Sequence, residues 1–209
     1  MAEEFQRRFE QKMGGREKAL AASRQAIRRS ANAIRAIHRR EFDLAHRLMD
    51  EAEAALRGGR DAVRDDHPDV FFAGFLQDAE KEFVESKLTE ALVTGSAFPA
   101  PEDLGVGLAP YLNGMAEAIG EGRRAVLDLL RRDQPGEGER ILAQMDDMYS
   151  VLASMDFPDA ITQNLRRNTD AARAIIERTR GDLTVSLVQG RLREALERHA
   201  SDLRTEGTA

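Results

Sequence analysis

The chain contains no cysteine, which excludes disulfides and thiolate metal sites. It has no tryptophan, only six prolines and 5% aromatic residues, against 33% charged and 42% hydrophobic. That mix favours an all-helical protein. No apolar run approaches the roughly 18 residues of a membrane span. The first fifteen residues, MAEEFQRRFEQKMGG, are charged throughout and carry no apolar signal-peptide core. The expectation is a soluble, cytoplasmic protein with no membrane partner. GxxxxGK[ST] and GxGxxG are both absent, so a nucleotide-cradling loop is not indicated. No serine or threonine stands beside a base, so nucleophilic catalysis has no visible apparatus. The four histidines, His38, His46, His67 and His199, show no metal spacing and read as surface or capping residues. With 209 residues the chain is long enough to bury a core, as one large domain or two small ones.

Charge is present but unevenly spread. The formal net charge is −6, which taken alone argues against nucleic acid. Residues 16–40, however, hold eight basic side chains against the single Glu17, a local balance of +7. Residues 41–56 hold five acids against Arg47, a balance of −4. Such asymmetry marks a candidate binding face on a protein that is acidic as a whole. Arg24, Arg28, Arg35 and Arg39 recur at spacings of four, seven and four, a basic stripe along one helix. The stripe suits either a solvated face paired with the acidic segment that follows or a contact surface for phosphates.

Helical period runs through every segment longer than ten residues, and none alternates as a strand would. Residues 1–15 read as an N-terminal arm broken off by Gly14-Gly15. A first helix over 16–40 has Leu20, Ile27, Ile34 and Ile37 as its seam. A second, over 41–57, packs through Phe42, Ala45, Leu48, Met49, Ala52 and Leu56, and ends at Gly58-Gly59. Residues 60–66 read as a polar connector, and His67-Pro68 opens the next helical stretch. Residues 71–95 read as one long helix. The stretch 96–110, with three of its prolines, is the only long connection. Further helices are expected over 111–132 and 137–155, then a short one near 159–163. A long last helix runs from 165 towards 199, followed by a flexible tail over 201–209. The expectation is one all-α domain over 16–200, a bundle of about seven helices.

Two of these helices carry acids in a pattern that a plain amphipathic helix does not need. In FFAGFLQDAEKEFVESKLTEALVTG, residues 71–95, the apolar face is Phe72, Leu76, Ala79 and Phe83. Asp78, Glu82, Glu85 and Thr89 form a second stripe beside it. Side chains three or four apart on a helix sit about 5–6 Å apart at Cβ, so Glu82 and Glu85 suit one divalent cation between them. On the 111–132 helix Glu117 and Glu121 stand four apart among Gly114, Gly120 and Gly122. Interior glycines cost about 1 kcal/mol each relative to alanine, so three in nine residues imply close helix approach or room for a ligand. Four carboxylates from two facing helices suit Mg²⁺ or Mn²⁺ rather than zinc. A metal held there lowers the pKa of a bound water and neutralises a phosphoryl group under attack. Glutamates at this spacing are equally at home on any highly charged helical surface.

Four stretches together resemble the translin family. They are REKALAASRQAIRRSANAIRAIHRREFDLA, AGFLQDAEKEFVESKLTEALVTG, PEDLGVGLAPYLNGMAEAIGEGRRAVLDLL and MDFPDAITQNLRRNTDAARAIIERTRGDLTVSL. The resemblance covers residues 16 to about 196. It implies a bundle of about seven helices assembled into a hollow octamer, with single-stranded RNA or DNA as ligand. The family comprises translin, which binds nucleic acid, and Trax, a metal-dependent endoribonuclease subunit that the prokaryotic, chiefly archaeal, members are similar to. The glutamate pair of a QEYVEA-like Trax run falls here in KEFVES, at Glu82 and Glu85. The acidic pair of a YLLGVADLTGEL-like run falls in YLNGMAEAIGEG, at Glu117 and Glu121, where the first is aspartate in the Trax pattern. The resemblance therefore implies a Mg²⁺-dependent (or Mn²⁺-dependent) endoribonuclease. Glu82, Glu85 and Glu117 would be catalytic metal ligands, and Glu121 a further ligand or a neighbour of one. RNA would be held by Arg28, Arg35 and Arg39 and by Arg166, Arg167 and Arg173. Three alternatives stay open: a translin-type binder without chemistry, an all-α nucleoside triphosphate pyrophosphatase, and a structural oligomer.

Overall fold

The computed structural model of the chain describes residues 1–206. Six long helices carry the fold: α1 (Ala2–His38), α2 (Phe42–Asp61), α4 (Phe75–Thr94), α6 (Leu108–Leu130), α7 (Pro135–Ala153) and α9 (Leu165–Glu206). Three one-turn helices join them: α3 (Pro68–Phe71), α5 (Pro101–Leu104) and α8 (Asp159–Thr162). The described residues are all-α, as expected from composition and period.

Helix directions follow from which residues meet. On α4 and α6, Lys81 and Val84 meet Gly114 while Leu92 meets Gly122, so the two run parallel. Asn168 bonds Asn113, and Thr179 receives a bond from Arg123, so α9 runs parallel to α6 as well. Arg60 pairs with Glu80 and His46 with Glu90, which makes α2 antiparallel to α4. Gly122 against Met145 and Gly138 against Val126 make α7 antiparallel to α6. Joining parallel α4 and α6 obliges the chain to travel back along α4. Its 20 residues span about 30 Å at 1.5 Å per residue. The stretch 95–107 covers that distance when extended at about 3.3 Å per residue. Its end is fixed where the Gly107 N–H donates to Glu80 Oε2 (3.3 Å).

The main core is a continuous apolar cluster that draws on all six long helices. Ile37, Met49 and Leu56 pack from α1 and α2, Phe83, Leu88 and Leu92 from α4, and Ile119 and Val126 from α6. Met145, Met148 and Leu152 close it from α7, and Ile176 and Leu183 from α9. A smaller cluster, Ala19, Val63, Val70 and Leu76, joins α1 to the α2–α4 corner. Among the described residues no helix is long and apolar enough to cross a membrane.

Several boundaries differ from expectation, each for a local reason. Gly14-Gly15 does not break α1. A Cβ at Gly15 would stand 3.1 Å from Ala62 O and 3.2 Å from the His67 ring, so glycine there admits the α2–α3 turn. Nor does Gly58-Gly59 end α2, which continues to Asp61. A Cβ at Gly59 would lie 2.9 Å from the Ala22 methyl, so this glycine is where α1 and α2 cross closely. The seam of α1 also shifts onto small residues, Ala19, Ser23, Ala26, Ser30 and Ala33, beside Ile34 and Ile37. Residues 71–95 are not one helix. Gly74, at φ 101, caps α4 afresh, with Gln77 accepting from the Gly74 N–H at 3.1 Å. Phe72, expected in the core, falls outside α4 and is 74% exposed. Thr89, expected on the acidic stripe, is fully buried. Residues 201–206 continue α9, and 207–209 of the expected tail lie outside the described residues.

The glycines of α6 make the packing testable. A Cβ at Gly114 would fall 2.7 Å from Lys81 O and 2.9 Å from Val84 Cβ, whereas at Gly120 the nearest atom, Ile175 Cδ1, is 4.0 Å away. Gly114→Ala should therefore destabilise the fold by roughly 1–3 kcal/mol through overpacking. Gly120→Ala should leave stability unchanged or raise it by up to about 1 kcal/mol through helix propensity. Urea denaturation of both variants checks the pair.

Candidate metal centre

The contact at Gly114 decides where the acids go. It brings α6 against the Lys81–Val84 turn of α4, and Glu117, three residues on, then faces Glu82 and Glu85. One carboxylate oxygen from each of Glu82, Glu85 and Glu117 lies within 4.8 Å of the others. All three residues are half-buried. Glu117 and Ala116 of α6, Glu85 of α4 and Asn168, Ala171, Ala172 and Ile175 of α9 line a cavity of about 280 Å³, so the cluster is open to a ligand.

The fourth predicted carboxylate is not in that group. Glu121 Oε2 is hydrogen-bonded to His38 Nε2 at 2.5 Å and stands 3.6 Å from Arg124. This bond to His38, helped by the charges of His38 and Arg124 and opposed by burial, holds its carboxyl below the usual range. Glu85 shows the opposite behaviour. Burial first, then the charges of Glu117, Glu82 and Glu121, push its carboxyl up to about 8, against a smaller lowering by Lys81. Glu82 is raised too, by burial and then by Glu117 and Asp78, with Lys81 opposing. Close carboxylates without a sufficient counter-charge hold protons instead of ionising together.

One cation already stands among them. Lys81 Nζ lies 2.6 Å from Glu117 Oε1 and 3.4 Å from Glu82 Oε1. Burial alone would lower its ammonium, but the bond and charge of Glu117, with those of Glu82, outweigh burial and raise it. Reasoning from spacing missed both Lys81 and His38. Lys81 stands three residues after Asp78 and four before Glu85, on the same face as the acids, but a stripe traced through the acids and Thr89 leaves it out. His38 reads as a surface residue, yet its side chain is only 4% exposed because the end of α1 abuts α6.

The arginines separate. Arg28, Arg35 and Arg39 lie on the exposed side of α1, where Arg35 bonds Asn32 and Arg39 pairs with Glu41. Arg166, Arg167 and Arg173 do not form one cluster. Arg167 lines a cavity of about 420 Å³ that also includes Lys81, Asp78 and Glu117. Arg166 lines a different cavity, with Asp156, Asp159 and Asp170. Arg173, seven residues after Arg166, shares its helix face.

An all-α bundle with a three-carboxylate centre between parallel helices is the class that these features define. No family model matches the chain. An uncharacterized protein of Methanocaldococcus jannaschii is 32% identical over 186 residues, covering 88% of this chain and 81% of the relative. Among solved structures the chain is similar to AfC3PO, alone and as a duplex RNA complex. It is 32% identical at a TM-score of 0.83, over 90% of this chain and 97% of that one. Apo-NeC3PO, 19% identical at a TM-score of 0.72 over 88% and 94%, shares the fold. The chain belongs to the translin/Trax-like C3PO family.

The Glu85 carboxyl gives a stability test. Its folded pKa of about 8 lies above the ordinary value of 4.5, so the folded state holds a proton that the unfolded chain has lost. Its contribution to stability is present below pH 4.5 and is lost as pH rises through 8. Glu85→Gln should therefore match the wild type near pH 4.5 and exceed it above pH 8, on the order of 2 kcal/mol. Urea denaturation across that range in EDTA measures the difference; equal slopes would contradict the burial of this charge.

Proposed function

We propose that the chain is a Mg²⁺-dependent (or Mn²⁺-dependent) endoribonuclease of the Trax type, cleaving single-stranded RNA. The observation that carries this reading is the convergence of Glu82, Glu85 and Glu117 oxygens in a half-buried, open site. The donor set fits a hard divalent cation: three carboxylates, no sulfur or imidazole, and a Glu85 carboxyl raised by burial and by the neighbouring carboxylates. Such a cation, when bound, supplies a water of lowered pKa and offsets charge on the phosphoryl group. Glu82, Glu85 and Glu117 would hold it, Glu85 giving up its proton. Glutamate at 117 in place of aspartate still reaches the cluster. Glu121, drawn towards His38, would act as a neighbour of the ligands that tunes their charge.

RNA would be bound through phosphates. Arg167 lines the cavity that Asp78 and Glu117 also border, while Arg28, Arg35, Arg39, Arg166 and Arg173 would form outlying contacts. The duplex RNA in the AfC3PO complex supports RNA as the ligand class. An octamer, homomeric and hollow, is proposed with it. Exposed apolar side chains along α9, Val185, Val188, Leu192, Leu196 and Leu203, suit burial between copies.

A second reading has its own observation. Lys81 already sits on Glu117 and near Glu82, supplying the cluster with a positive charge from the chain itself. That arrangement suits a translin-type protein that binds single-stranded RNA or DNA without cutting it.

Incubation of labelled single-stranded RNA with Mg²⁺ or EDTA, beside the double variant Glu82→Ala/Glu85→Ala, separates the two. Mg²⁺-dependent cleavage is expected to fall in the variant by at least the roughly 10–100-fold that losing an outer partner of a metal ligand costs. RNA that is bound but left intact by the wild type would establish the binding reading instead.

A further inference from the structure

The cavity of about 420 Å³ beside the carboxylates is bounded by the start of α4, the first half of α6 and the turn from α8 into α9. It shares Lys81 and Glu117 with the metal centre, so the two spaces meet at one wall. The cavity is lined by five amides, the cations Lys81 and Arg167 and the carboxylates of Asp78 and Glu117, where a core-facing gap would be apolar. Some of the amides hold the frame. Gln77 caps α4 and donates to Phe71 O (3.0 Å). Asn113 donates to Thr162 O (2.7 Å) and Ala109 O (2.9 Å), and accepts from Asn168 Nδ2 (2.7 Å).

Other groups have no partner in the described residues. The Gln163 and Asn164 side chains and the Arg167 guanidinium border the cavity without a hydrogen bond or ion pair to the protein. The turn carrying them is strained: Gln163 (φ 54) and Asn164 (φ 67) are consecutive non-glycine residues in the left-handed region. Strain of this kind persists where surrounding structure over-determines it, and it clusters at ligand sites. The volume is that of a small-ligand pocket, about 300–1,000 Å³. That size suits a single nucleotide.

We propose that this cavity seats a single unstacked nucleotide of the RNA, next to the phosphate to be cut. Its base would lie against the Gln163, Asn164 and Asn168 amides, and its phosphate on Arg167 and Lys81. The proposal rests on the nuclease reading for the position of the cut, but the pocket itself is independent of it. Amides offer a donor and an acceptor side by side, matching base edges. A guanidinium grips phosphate with two parallel bonds, and an ammonium adds a point charge. A base seated here has left its stack, so the pocket selects single-stranded segments over continuous duplex.

Calorimetric titration of the full chain with each nucleoside 5′-monophosphate, in Mg²⁺, tests the pocket directly. Arg167→Ala should weaken all four nucleotides alike, about tenfold, as loss of a phosphate contact does. Asn164→Gly keeps the left-handed backbone and should alter the ranking among the four bases. Arg167→Ala should retain the wild-type unfolding temperature, Asn164→Gly should retain or raise it, and both should keep the Mn²⁺ affinity. Wild-type protein that binds none of the four, or inorganic phosphate that competes as well as any nucleotide, overturns the proposal. RNA cleavage measured in parallel separates the two ideas. Cutting without mononucleotide binding sinks the pocket alone, and mononucleotide binding without cutting sinks the nuclease alone.

Discussion

At Gly114 helices α4 and α6 approach until nothing larger than hydrogen fits between the α6 backbone and Lys81 O. That contact governs the rest of the centre, because both helices carry glutamates on the facing side and run parallel. Once the backbones are this close, Glu82, Glu85 and Glu117 must share one small space. Three like charges at that distance repel strongly in a half-buried setting. The bundle offsets the repulsion with a proton on Glu85, the Lys81 ammonium on Glu117, and a histidine that draws Glu121 aside. Apolar packing of the same two helices against α1, α7 and α9 supplies the stability that such a cluster withholds.

The same arrangement explains why the acids differ in character although the sequence presents them as two matched pairs. Glu85 is raised first by its burial and then by the charges of Glu117, Glu82 and Glu121 around it. Glu121 is instead lowered by its bond to His38 and by the charges of His38 and Arg124. Under the metal reading, a divalent cation and the Glu85 proton compete for one position, and Lys81 is the third contender.

Helical period, the absence of alternating segments and the pattern of KEFVES and YLNGMAEAIGEG made the all-α bundle and three of the four carboxylates legible from the sequence. Period works here because apolar residues three and four apart must share a face whatever that face meets. Glycine was less legible. Gly14-Gly15 and Gly58-Gly59 read as breaks, yet Gly15 and Gly59 are contacts, and α1 and α2 run through them. A glycine that ends a helix and a glycine that admits a neighbour look alike until the neighbour is in place.

By itself the sequence determined that the chain is helical, which residues are acidic at a spacing that allows convergence, and where a basic stripe runs on α1. Those are properties of single helices, set by local geometry and side-chain chemistry. Tertiary structure alone decided that Lys81 stands inside the acid cluster and that His38 claims Glu121. It also decided that Arg167 parts company from Arg166 and Arg173 to face the carboxylates. Each of these depends on contacts between residues 36 to 83 positions apart or on the rotation of one helix against another. Charge pairing across such separations follows from packing, and no period in a chain records it.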